Sequence, residues 1–145
     1  MVVDASCVGW GAFLLQEQVA GEGKEKVEGW GVVAMTARRW KTQREMRETR
    51  SRPLELRGLA AALKEWAGLI RNGHPVLVLT DHRPFEGRLR PQPHDNASLR
   101  QVLASILEYP VVMKYIPGEK MPSDFLSRDF LLSGACGGKL ECQLE

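Results

Sequence analysis

The sequence predicts an α/β domain: a five-stranded mixed sheet, three antiparallel strands followed by two strands reached by helical crossovers, with flanking helices. Three observations predict it. Two glycine-led apolar segments, Gly9 to Gln16 and Gly29 to Ala37, flank the polar, Gly-containing stretch EQVAGEGKEK, as in a hairpin. From Pro53 onward apolar residues recur at three- and four-residue spacing, the period of a helix. Val76-Leu77-Val78-Leu79 shows no polar alternation, which suits a central strand covered by helices on both faces.

The elements follow in order. Met1 to Asp4 reads as the end of a strand, and the two hairpin strands come next. Arg38 to Arg52 has only Trp40 and Met46 as large apolar residues, too few for a core-facing helix. Pro53 suits a first helical position, and Asn72-Gly73 a C-terminal one. Leu56, Leu59, Ala60, Leu63, Ala67 and Ile70 form the inward face. The fourth strand runs into Thr80-Asp81. Asp95 or Asn96 can cap a second helix with Leu99, Val102, Leu103 and Ile106 inward, ended by Tyr109-Pro110. Val111 to Ile116 is a fifth strand, Pro117-Gly118 a turn, and Ser123 can cap a last short helix through Arg128. Residues 1–130 are expected to form the domain and 131–145 a flexible tail.

Composition narrows the function. The chain has 145 residues, 43% hydrophobic and 26% charged, ordinary for one globular domain. No apolar run approaches the ~18 residues that span a bilayer, and the start lacks a secretory pattern. Cys7, Cys136 and Cys142 make an odd count without zinc-ligand spacing, which favours free thiols in a reducing, intracellular compartment, cytoplasmic or nuclear. Net charge is only +2, yet Arg38 to Arg52 holds seven Lys/Arg against two Glu, a local +5. Such a patch can neutralise phosphates, with Arg44, Arg47 and Arg50 as candidate substrate contacts; a solvated connecting segment is the alternative.

Four acids stand at element ends. Asp4 closes the first strand, Asp81 the fourth; Glu55 lies in the first turn of the long helix, and Asp124 opens the last one. Ligand sites in α/β sheets lie at carboxyl ends of strands. Each acid has a plainer explanation: Glu55 and Asp124 can complement helix dipoles, Asp81 can be a turn residue, and Asp4 a surface acid near the terminus. Together they supply what hard divalent cations require, oxygen ligands and enough charge for two ions ~3.5–4 Å apart flanking a phosphate. The chemistry indicated is metal-dependent cleavage of nucleic acid. The histidines give no hydrolase triad: His74 is in a turn, His94 in a Pro-rich loop, and only His82 adjoins an acid.

These residues resemble the ribonuclease H domain of reverse transcriptases, in particular that of gypsy-type LTR retrotransposons. The resemblance runs from residue 1 to about 130. It rests on Asp4-Ala5-Ser6 with GWGAFLLQ, on TARRW, on PLELRGLAAALKEW from Pro53 to Trp66, on LTDHRPF from Leu79 to Phe85, and on YIPGEKMPSDFLSR from Tyr115 to Arg128. It implies an RNase-H-like fold and an endonuclease that hydrolyses the RNA strand of RNA–DNA hybrids, leaving a 5′-phosphate and a 3′-hydroxyl. It also implies two Mg²⁺ ions, with Mn²⁺ able to substitute, and an adjacent polymerase domain in a parent polyprotein. Asp4 would bridge both ions, Asp124 would hold the ion of the attacking water, and Glu55 and Asp81 the ion at the leaving group. As in members of this type, no histidine lies between Ile116 and Asp124. Three features depart from the family pattern: only three residues precede Asp4, Met121 stands where many relatives carry Asn, and Cys7 where an acid is common. A catalytically inactive, captured module with a structural or interaction role is the alternative these departures leave open.

Overall fold

Alternating and apolar segments at the start of the chain pair locally before any helix intervenes. Strand β1 (Val2–Ala5) pairs antiparallel with β2 (Gly9–Ala20), which pairs antiparallel with β3 (Val27–Arg39). Helix α1 (Ser51–Glu65) and the short α2 (Ala67–Ile70) then lead to β4 (Val76–Thr80), parallel to β1. A 3₁₀ turn (Arg83–Phe85) and α3 (Ala97–Leu107) lead to β5 (Val111–Tyr115), parallel to β4. The sheet order is β3-β2-β1-β4-β5, a mixed five-stranded sheet with flanking helices, as the sequence predicts. The computed structural model describes residues 1–20, 27–41, 50–70, 73–87 and 89–118, and the side chains among them except those of 17–20 and 27–30. The expected helix from Ser123 and the tail at 131–145 lie outside the described residues.

Several expectations are corrected. Glu17 to Ala20 extend β2 rather than forming loop, because each pairs across to Val27–Trp30. Near the middle of this ladder the register shifts between Leu14 and Leu15, where β3 carries an extra residue, Val33. Helix α1 starts two residues before Pro53. It breaks at Trp66, whose carbonyl accepts from both Leu69 and Ile70 and whose indole is buried. Gly73 takes φ +83°, the left-handed conformation expected of a glycine after a helix. At the second helix Asn96, not Asp95, is the cap: its Oδ1 accepts from the Leu99 amide at 2.8 Å.

The core lies on one face of the sheet. Leu56, Leu59, Ala62 and Leu63 of α1 meet Leu99, Leu103 and Ile106 of α3 over Val76, Val78 and Met113. Leu54 and Ala62 join the inward face, whereas Ala60 and Ala67 are only half-buried. Coverage of β4 on both faces is not found among the described residues, since Leu77 is 39% exposed and its β5 neighbour Val112 49%. Trp40 belongs to the core after all. Its indole N–H donates to the Ser6 carbonyl at 2.7 Å, tying the end of β3 to the β1–β2 turn. The short first strand is held by main-chain bonds: the Met1 amino nitrogen donates to Leu77 O at 2.7 Å and the Leu79 amide to Met1 O at 3.0 Å. No helix among the described residues is long and apolar enough to cross a membrane.

Helix α1 approaches the sheet closely at Gly58. A Cβ there would lie 3.0 Å from Ala5 Cβ and 3.4 Å from Val3 Cγ1, so the missing side chain lets α1 rest on β1. Gly58→Leu should therefore push helix from strand and lower stability by about 2 kcal/mol, the usual cost of overpacking. Urea unfolding of both proteins checks this, and equal midpoints would show that α1 has room to spare.

Candidate active site

Parallel pairing of β1 with β4 brings two acids to one edge. Val2 is in register with Leu79, so Asp4 and Asp81, two residues further on, stand level at the carboxyl ends of adjacent strands. Both are exposed. Glu55 comes from above the sheet. It sits one turn before Gly58 on α1, so the contact that seats Gly58 on Ala5 also carries Glu55 to the strand end that bears Asp4.

The electrostatics record the convergence. Glu55 is half-buried, and its carboxyl is pushed up to about 7, first by desolvation and then by the charges of Asp81 and Asp4. The plainer explanation of Glu55 as a helix-dipole partner fails, because α1 begins at Ser51 and its first turn holds no acid. Asp81 does stand in the bend that follows β4, as a strand-end turn residue would. The Thr80 hydroxyl accepts from the His82 amide at 3.1 Å, and the Arg83 guanidinium lies over the Tyr115 ring, 4.9 Å from its centroid. The Pro117-Gly118 turn passes beside the acid instead, with the Gly118 Cβ position 3.7 Å from Asp81 Oδ2.

Glu55 thus senses both aspartates, yet among the described residues no three acidic, His or Cys side chains stand close enough to grip one metal ion. The fourth expected acid, Asp124, lies outside the described residues, as do Arg44 and Arg47. The donor set is still what a hard cation selects: all oxygen, mutually repelling, with one member partly desolvated. His82 does not join it, for its ring packs on Phe85 with centroids 4.5 Å apart. His74 lines a hollow with Met1, Val76 and Leu77, at the amino ends of β1 and β4, opposite the acids.

The basic stretch is less free than its composition suggests. Arg38 pairs with Glu65 at 2.9 Å, and Arg52 makes a two-pronged contact with Asp95, Nε to Oδ1 at 3.3 Å and Nη2 to Oδ2 at 3.0 Å. Counting these two acids reduces the local charge from +5 to +3. Arg50 is exposed, and its carbonyl accepts the Leu54 amide at the start of α1.

Sequence reasoning missed two contributors. Gly58 interrupts an apolar helical run, a signal of close packing that could have been used. The Arg52–Asp95 pair, 43 residues apart, leaves no local signal. The Arg52 guanidinium holds the buried Asp95 carboxyl below its ordinary range. What that pair adds to stability is therefore lost as pH falls through the carboxylate range.

For Glu55 the sign is opposite. Its folded value is above the ordinary 4.5, so ionising it costs stability in full above about 7 and not at all below the ordinary value. Glu55→Gln should stabilise the metal-free protein at pH 8 by about 1 kcal/mol, a figure reduced for solvent screening of a half-exposed group. The gain should disappear by pH 4. Chemical denaturation in EDTA at both pH values measures it, and a destabilised variant at pH 8 would show a structural glutamate.

Compared with models of known protein families, residues 1–109 match the one described as the RNase H-like domain found in reverse transcriptase. The match spans β1 to the end of α3 and includes Asp4, Glu55 and Asp81. A search of curated proteins returned no match.

Proposed function

The chain belongs to the family of RNase H-like domains found in reverse transcriptase, and on that premise we propose that it is a metal-dependent endoribonuclease acting on the RNA strand of RNA–DNA hybrids. Its reverse transcriptase would be of the gypsy-type LTR-retrotransposon kind, with residues 1–130 as the nuclease domain, 131–145 as a tail and a polymerase domain adjacent. The observation that carries this reading is the convergence of Asp4, Glu55 and Asp81 at the carboxyl edge of the parallel β1–β4 pair.

Asp4, Glu55 and Asp81, completed by Asp124, would hold two Mg²⁺ ions, or Mn²⁺ in their place. Bound there, such ions supply charge neutralisation at the scissile phosphate and a water of lowered pKa. The protein's own part is placement. Asp4, at the end of the central strand, would be the shared ligand, with Glu55 and Asp81 holding the ion at the leaving group and Asp124 the ion of the attacking water. The partly desolvated position of Glu55 strengthens its attraction for a cation, because fewer waters compete for its oxygens.

Wild-type chain should cut the RNA strand of an end-labelled hybrid in Mg²⁺ and leave it intact in EDTA, with 5′-phosphate products. Asp81→Asn should abolish cleavage. Mg²⁺ at ~10 mM should raise the melting temperature of the wild type by mass action and that of the variant much less. An intact hybrid beside a normal Mg²⁺-induced shift would mark a domain that binds cations but does not cleave, as a captured structural module would.

Arg44, Arg47 and Arg50 would position the hybrid through its phosphates. Replacing all three with Gln should weaken binding and flatten the slope of log K against log salt by about 2, since fewer counterions are released. An unchanged slope assigns the segment to solvent.

A further inference from the structure

We propose that Arg52, held by Asp95, is a positioning residue that fixes the separation between Glu55 and Asp81. The proposal rests on the reading of those acids as cation ligands and extends it to a residue that touches neither.

The guanidinium joins two parts of the site that are remote in sequence. Arg52 lies three residues before Glu55 on α1, so its backbone and that of Glu55 move as one rigid helix. Its Cζ lies over the Phe85 ring, 5.5 Å from the centroid, within cation–π range. Phe85 is 2% exposed and ends the 3₁₀ turn that follows Asp81. That turn is itself fixed: His82 N donates to Thr80 Oγ1 at 3.1 Å, Phe85 N to His82 O at 2.9 Å, and the His82 and Phe85 rings touch. A displacement of Phe85 against Arg52 is therefore a displacement of Asp81 against Glu55.

The guanidinium edge is as constrained as its face. Besides the two bonds to Asp95, Nη2 donates to the Arg90 carbonyl at 3.3 Å. Asp95 Oδ2 also accepts the Gln92 amide at 2.7 Å, and the Asp95 carbonyl accepts Arg100 Nε at 3.0 Å. The loop before α3 is thus a socket for one side chain. The Asp95 side chain is 1% exposed and that of Arg52 14%. A buried pair like this gains little stability over well-packed apolar residues, because desolvation offsets its attraction. What it supplies is direction: a fork that accepts one orientation, with a delocalised cation over the Phe85 ring. Lysine offers neither.

The test compares wild type, Arg52→Lys, Phe85→Leu and, as a control, Arg38→Lys. The control alters an exposed pair at the other end of the same helix. Mg²⁺ affinity is read by calorimetry, the ¹H–¹⁵N amide shifts of Glu55, Asp81 and His82 at pH 7, and kcat and KM on an RNA–DNA hybrid. Arg52→Lys and Phe85→Leu should weaken Mg²⁺ binding by about tenfold or more, as supporting-shell changes do. They should shift the Asp81 and His82 amides and lower kcat without a matching rise in KM; Arg38→Lys should do none of this. Should Arg52→Lys not fold, Phe85→Leu keeps the ion pair and reports alone. Variants less stable than wild type but with its Mg²⁺ affinity and its Asp81 and Glu55 amide shifts would overturn the proposal, leaving Arg52 a structural residue. A wild type that takes up no Mg²⁺ refutes the cation reading instead, while the amide shifts still decide whether Arg52 sets the placement of Asp81.

Discussion

The seating of α1 on β1 through Gly58 is the contact on which the remaining geometry depends. Without a side chain at this position the helix comes within van der Waals reach of Val3, Ala5 and the Trp10 Cβ. Helix and strand are then one body, and a residue one turn nearer the helix start reaches the strand's carboxyl end. That residue is Glu55. The same contact lets Leu56, Leu59 and Leu63 descend into the core shared with α3. Packing and site placement are therefore not separable here, since a helix that lifted from the sheet would lose both.

Strand pairing sets the second coordinate. Ladder bonds between β1 and β4 bring Asp4 and Asp81 level although they are 77 positions apart in the chain. The sheet edge supplies solvent access, so Asp4 and Asp81 are exposed while Glu55, under the helix, is half-buried. Desolvation and two neighbouring charges act on Glu55 in the same direction. A fold that gathers like charges in this way gives up stability in the metal-free state and recovers it when a counter-charge binds. Among the described residues the carboxylates do not close into a three-ligand group.

Charged residues elsewhere divide by burial. Arg38 and Glu65 form an exposed pair whose contribution to stability is small. Arg52 and Asp95 are enclosed and multiply hydrogen-bonded, with the Arg52 Cζ over the Phe85 ring. Arg38 and Arg52, two basic residues of the same stretch, thus stand in different surroundings, which composition does not distinguish.

Much of this was legible in the chain. Periodicity located α1 and α3, because side-chain burial repeats with the helical turn, and apolar segments bounded by turn residues located the five strands. The order of elements determined a mixed sheet, and acids at strand ends marked its carboxyl edge. Boundaries were less legible. Ser51 and Arg52 enter α1 ahead of Pro53, and Glu17 to Ala20 continue β2, because pairing partners rather than local preference decide where an element stops. The tertiary structure alone decided that Glu55 is a second-turn residue with a raised pKa, that Thr80 rather than Asp81 closes its turn, and that Arg52 faces Asp95 and Phe85 instead of solvent. Those outcomes depend on desolvation and on contacts between residues far apart in the chain, and neither quantity is a property of a segment read alone.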